Sequence, residues 1–166
     1  MNANVNVPKS TSSRRVARVA AVQALYQIDL SAAESADVIE EFKAHRTDRE
    51  RDGVNIGDAD DAWFAELVSG TASRLEEIDL AILACLDKGR TLSSLETVMR
   101  VILRSAAYEF IARADVPAKV IINEYVEVAY VFFTGNEPKF ANGVLDRLAQ
   151  RFRAAEIAGQ SGATTR

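Results

Sequence analysis

Cysteine and histidine occur once each in the 166 residues, as Cys85 and His45. A single thiol excludes an internal disulfide, and together with a single imidazole it leaves no cluster from which a zinc site could be assembled. Cys85 lies within the apolar run Leu80 to Leu86 with no histidine near it in sequence, which predicts a buried structural thiol and not a nucleophile. No stretch approaches the roughly 18 uninterrupted apolar residues of a membrane helix, and the first residues lack an apolar segment followed by a small-residue cleavage site. The expectation is a cytoplasmic protein without a membrane anchor. Catalytic signatures are missing as well: there is no phosphate-cradling glycine-rich loop, no Gly-x-Ser-x-Gly elbow and no His-Glu-x-x-His pair. Glu124 and Glu127 share a helix face, but without the histidine that a helix-bundle dimetal site adds they read as a solvated face. The sequence therefore predicts no catalytic residue, no metal, no cofactor and no enzyme.

What is present suits one ordinary soluble domain, with 48% hydrophobic and 27% charged residues. The net charge of −4 conceals an asymmetry. Residues 1–28 carry Lys9, Arg14, Arg15 and Arg18 and no acid, so this segment is +4 and the rest of the chain −8. A basic end on an acidic body points to local contact with a polyanion, because phosphate attraction acts over about 10 Å at ordinary ionic strength.

Helical periodicity runs through most of the chain, and no convincing period-2 strand competes with it, so the fold class is all-α. Met1 to Ser12, rich in Asn, Ser and Thr, predict a mobile arm over 1–12. Ser12 or Ser13 caps a helix from Arg14 to about Leu30, and at about 100° per residue Arg14, Arg15 and Arg18 fall within roughly a quarter turn, with Val22 and Leu25 farther along the same arc. The helix is expected to start in solvent and run into the core, with the arginines as a basic tip. A short helix at Asp37 to Lys43 precedes a charged loop, His45 to Gly53. Asp58, Asp60 and Asp61 suit the start of a helix through Phe64, Leu67, Val68, Thr71 and Leu75, in which Gly70 weakens the helix or admits a neighbour. Ile78 to about Asp87 form the next, with Gly89 as its cap, and Ser93 or Ser94 caps a buried rod from Leu95 through Phe110 to about Arg113. A helix follows from Pro117 or Ala118 to Phe133, then a turn over Thr134 to Pro138. The last helix spans Phe140 to about Ala155, within which Asn142-Gly143 marks close helix approach, and 156–166 form a flexible tail. The domain proper is thus 13–155.

Single-stranded RNA needs cations for phosphate and flat side chains on which splayed bases stack. Arg14, Arg15 and Arg18 supply charge, and Lys139-Phe140 places a cation beside an aromatic ring just after a flexible turn. Two roles fit Phe140: a stacking ring, or the first residue of the apolar series with Val144, Leu145 and Leu148. Tyr26 has the same two roles, since its ring can pack while its hydroxyl stays wet.

Four segments in register, Arg14–Tyr26, Ile102–Glu109, Val116–Glu124 and Lys139–Asp146, resemble the NusB family over roughly residues 13 to 150. The resemblance implies a compact bundle of about seven helices in two packed helical subdomains. It implies binding of the boxA element of nascent RNA together with NusE, a small-subunit ribosomal protein, in complexes with NusA, NusG and RNA polymerase, notably on ribosomal RNA operons. Carried over, it assigns RNA contacts to Arg14, Arg15, Arg18, Gln23, Tyr26, Asn136, Lys139 and Phe140, as a composite grip whose two halves meet in space; Asn136 stands where the family often has an acid. The partner surface would include Asp87, Arg90 and Met99, with Met99 where a charged contact is expected. Asn123 or Glu124 would bridge or cap helices. A homodimer that hides the RNA surface is compatible with the same family. Two other readings remain: a helical interaction or dimerisation adaptor that binds no RNA, and a stand-alone relative of the N-terminal domain of RNA cytosine methyltransferases.

Overall fold

The structure, a computed structural model, describes residues 12–45 and 60–162. The predicted N-terminal arm up to residue 11, the charged loop beyond His45 and Asp58 lie outside the described residues. Helix α1 (Ser13–Ser31) opens as its sequence predicts, with the Ser12 hydroxyl accepting from the Arg15 amide at 3.3 Å. Helix α2 (Ser35–Ala44) buries Val38, Ile39 and Phe42, and the Phe42 ring stacks on Phe64 with centroids 5.4 Å apart. Phe64 belongs to α3 (Asp61–Ser73), which Asp60 caps by accepting from the Trp63 amide at 3.0 Å.

Helix α4 (Leu75–Cys85) starts and stops earlier than its periodicity suggests. Gly89 does not cap it: Leu86 turns extended, and Gly89, at φ +87°, sits in a separate turn closed by the Arg90 amide donating to the Asp87 carbonyl at 3.0 Å. Ser93 and Ser94 do not cap the central rod either. They form a 3-10 turn, Leu92–Ser94, capped by Thr91, and the buried, extended Leu95 separates it from α5 (Thr97–Ala112). Helix α6 (Ala118–Phe132) matches its predicted span closely. Helix α7 (Glu137–Phe152) begins one turn before Phe140, with Pro138 in its first turn. The segment expected to be a tail from residue 156 is helical as α8 (Ala154–Gly162), because Glu156 has work there: one carboxylate oxygen accepts from the Ala118 amide at 2.8 Å and the other from Arg153 at 3.0 Å. Among the described residues there are eight α-helices and no strand.

Helix α5 is the central element: it packs on α1, α3, α4, α6 and α7. Of its sixteen residues, Ile102, Leu103, Ala106 and Ala107 are fully buried among Leu67, Ile78, Ile121, Leu145 and Leu148. Each such Leu or Ile removed from water contributes about 1.5–3 kcal/mol. Ion pairs fix direction: Arg18 near the start of α1 meets Glu109 near the end of α5, while Arg100 and Arg104 near its start meet Asp29 near the end of α1. The two helices are therefore antiparallel. Short connections return α6 and then α7, and Arg153 at the end of α7 donates to the carbonyls of Phe110, Arg113 and Val116 at 2.9, 2.7 and 3.0 Å. This one guanidinium satisfies the bare C-terminus of α5 and ties it to the start of α6. Cys85 is buried, as its apolar surroundings predict.

The two conspicuous glycines behave differently. Gly143 is exposed, and a Cβ there would meet nothing within 4 Å, so Asn142-Gly143 does not serve close helix approach. Gly70 does: a Cβ there would fall 2.3 Å from Cε2 of Tyr108. The Tyr108 hydroxyl is held by Glu66 at 3.2 Å, so the ring cannot swing aside without losing that bond. Gly70→Ala is expected to lower stability by about 1–3 kcal/mol despite the better helix propensity of alanine, read from the midpoint of urea denaturation.

Candidate nucleic-acid interface

The start of α1 and the start of α3 are tied together by the Asp60 amide, which donates to the Ser13 carbonyl at 3.1 Å. This places Trp63, only 3% exposed, beneath the first turn of α1. The exposed Arg14 lays its guanidinium 3.9 Å from the Trp63 ring centroid, and Arg113, arriving from the end of α5, lies at 4.3 Å. Arg113 is also paired with Glu66 at 2.7 Å and Asp115 at 2.8 Å. Among the described residues Arg14 forms no close ion pair, although its charge reaches Asp115. A guanidinium stacked on an aromatic ring keeps its in-plane N–H donors directed outward, which suits phosphate or a base edge.

The other two arginines of the expected tip are committed elsewhere. Arg15 forms a bidentate pair with Glu124 of α6, both contacts at 2.8 Å, so Glu124 does bridge helices. Arg18 is 3% exposed and belongs to the core. Its guanidinium donates to both oxygens of the fully buried Glu109 at 2.8 and 2.9 Å. The Tyr125 hydroxyl donates to the same carboxylate and lies 2.8 Å from the Ser105 hydroxyl. The arc argument placed all three arginines on one face correctly, but that face turns inward by Arg18, one helical turn from the tip. Arg18 is therefore corrected from a surface contact to a buried ion-pair partner. Burial alone would lower its pKa, but the Glu109 hydrogen bonds and the negative charge around it together outweigh burial and keep the arginine charged. The buried Tyr125 hydroxyl is pushed well above its ordinary pKa by burial and then by the Glu109 charge.

The second expected half of the site opens α7. Lys139 is exposed, Phe140 is half-buried against the core, and the Asn136 carbonyl takes the amides of both at 3.1 and 3.2 Å while its side chain makes no capping bond. The two halves do not meet. Arg15 is anchored to Glu124, Lys139-Phe140 lies beyond Phe132, and the eight residues between Glu124 and Phe132 span about 12 Å of helix. Gln23 and Tyr26, farther along α1, are each partly buried.

Of the expected partner residues, Asp87 is exposed and paired with Arg147 at 3.1 Å. Arg90 is exposed, with its guanidinium 4.8 Å from the Phe140 ring centroid. Met99 is 4% exposed and cannot present a contact, which its own sequence context, an apolar position one turn into the rod, explains. The run Leu80 to Leu86 is less buried than it reads: Leu80 and Leu83, three residues apart on α4, are 63% and 43% exposed. A groove of about 650 Å³ between α4 and the end of α7, lined by Arg74, Leu80, Ala81, Arg151 and Phe152, adjoins them. Trp63, Glu109 and Arg113 escaped the sequence reading. The available signals were a lone tryptophan after a helix cap and a glutamate inside an otherwise apolar rod.

Fold and site together define an all-helical module that carries aromatic-backed arginines at its surface. The model of the NusB family matches residues 15–150. Transcription antitermination protein NusB of Brucella ovis is 44% identical over 144 residues, covering 87% of this chain and 84% of its own. The protein of the same name from Rhizobium rhizogenes is 42% identical over 150 residues, covering 90% and 94%. The solved structure of T. maritima NusB matches with a TM-score of 0.69 at 29% identity, over 91% of this chain and 96% of that one. The chain belongs to the NusB family.

Two variants separate core from surface. Arg18→Ala strands the Glu109 carboxylate and is expected to cost about 3–5 kcal/mol, whereas Arg14→Ala loses only an exposed cation–ring contact of about 0.5–1 kcal/mol; urea denaturation of both checks this. Arg15, first through its hydrogen bonds and then through its charge, holds the Glu124 carboxyl below its ordinary pKa. A carboxyl depressed on folding adds stability above its unfolded pKa of about 4.3, and that stability is lost as pH falls towards the folded value. Glu124→Gln is accordingly expected to flatten the decline of stability below about pH 4.3, followed by denaturation midpoints between pH 7 and pH 3.

Proposed function

We propose that this protein is a transcription antitermination factor that binds boxA-type single-stranded RNA together with NusE, in processive complexes with NusA, NusG and RNA polymerase, notably on ribosomal RNA operons. It acts in the cytoplasm, where nascent RNA is made, and catalyses no reaction. The observation that carries the RNA reading is Arg14, exposed, backed by Trp63 and without a close ion pair among the described residues. Lys139 and Phe140 supply a second cation and a partly exposed ring on which a base can stack. Arg15, Gln23, Tyr26 and Asn136 line the course between, with Arg15 available only in part because Glu124 holds it. Arg18 acts from beneath, by fixing the rotation of α1.

For NusE we propose the α4 face with Leu80 and Leu83, continued by Asp87. Exposed leucines at helical spacing beside a groove suit a protein partner better than a polyanion. The same face is what a purely protein-binding adaptor would use, so RNA decides between the two readings.

Titration of a boxA-like RNA oligonucleotide and a scrambled control, with and without NusE, across several salt concentrations is the test. The boxA-like strand is expected to bind more tightly, and Arg14→Ala to reduce the salt slope by about 0.7. Phe140→Ala is expected to cost about 1–3 kcal/mol of RNA affinity with a nearly unchanged melting temperature. Equal binding of both strands would sink sequence recognition; no binding at low salt would leave the adaptor.

A further inference from the structure

The turn Asp87–Arg90 is docked along α7 at two points. Arg147 donates to the Cys85 carbonyl at 2.9 Å and to Asp87 at 3.1 Å, and Arg90 reaches the ring of Phe140 at 4.8 Å. Phe140 and Arg147 are seven residues apart and so lie on one face of α7. The positive φ of Gly89, +87°, reverses the chain between the two contacts. Asp87 is thereby turned to a cation of α7, while Arg90 is turned to the ring that opens that helix.

The described arginines divide by their ion pairing. Eight of the eleven arginines among the described residues are paired with carboxylates, which leaves Arg14, Arg90 and Arg151. Arg90, like Arg14, has an aromatic ring beneath it and no carboxylate in ion-pair range among the described residues. Asp87, three residues before it, is paired with Arg147. Lys139, exposed beside Phe140, adds a second cation. One partly exposed ring flanked by two unneutralised cations is the combination that takes a splayed nucleotide, with the base on a ring or guanidinium plane and the phosphate on the N–H edge.

Resting on the RNA reading above, we propose that Arg90 is an RNA contact and not a protein contact: with Phe140 and Lys139 it forms the second nucleotide-binding half of the surface, the counterpart of Arg14 on Trp63. The two halves repeat one device, an arginine stacked on a ring with its donors outward, at opposite ends of α6.

The test measures binding of the boxA-like oligonucleotide by fluorescence anisotropy for the full chain, Arg90→Ala and Arg90→Gln, with Arg14→Ala and Phe140→Ala as references, and in parallel NusE affinity without RNA. Expected is a loss of about tenfold in RNA affinity, with the salt slope reduced by about 0.7, for both Arg90 variants, and NusE affinity within about twofold of the parent. Arg90→Gln keeps length and packing over the ring, so it decides should Arg90→Ala also lower the melting temperature. Unchanged RNA affinity in Arg90→Gln while Arg14→Ala and Phe140→Ala lose it overturns this proposal and leaves the RNA reading standing. Loss of NusE binding with RNA binding intact makes Arg90 a partner contact and likewise overturns it. Failure of the parent chain to bind the oligonucleotide overturns both.

Discussion

A guanidinium and a carboxylate that have both left water are costly unless each finds nearly ideal partners, and Arg18 with Glu109 meets that condition. The fork of Arg18 takes both carboxylate oxygens, and the Tyr125 hydroxyl fills a remaining lone pair. The cluster joins α1, α5 and α6 at one point in the core. Because the geometry is bidentate, it fixes rotation as well as distance. With Arg18 turned inward to Glu109, Arg14 and Arg15 can only leave the bundle at its end, and Val22 and Leu25 can only enter the core.

Charge on the rest of the surface follows a similar division. Arginines that stitch helices together are held by acids: Arg15 by Glu124, Arg104 by Asp29 and Asp79, Arg113 by Glu66 and Asp115. Arg14 and Arg90 rest on rings and make no ion pair among the described residues, whereas Arg113 lies over Trp63 and is paired with acids as well. A stacked guanidinium is ordered without being neutralised, so its charge stays available to a ligand. On a body of net negative charge such sites also orient a polyanion, since the remaining surface repels it.

The α-helical class, the span of α6 and the Ser12 and Asp60 caps were all legible, because hydrophobic period and cap chemistry are local properties. Helix ends set by distant partners were not. Residues 156–162 are helical, with Glu156 reaching the Ala118 amide, and Gly89 serves a turn because Leu86 leaves α4 early to pack. The apolar run around Cys85 foretold the buried thiol but not the exposure of Leu80 and Leu83, since a run alone does not say which of its faces is covered.

The order of helices, the likeness to the NusB family, and the presence of cations next to rings at Lys139-Phe140 were written in the sequence itself. Only tertiary structure decided which arginine is surface and which is core. An arc on a helix wheel has no absolute direction until a partner such as Glu109, 91 residues away, fixes it. Tertiary structure also brought Trp63 under Arg14 and Arg90 onto Phe140, because side chains from separate helices stack only after the helices have packed.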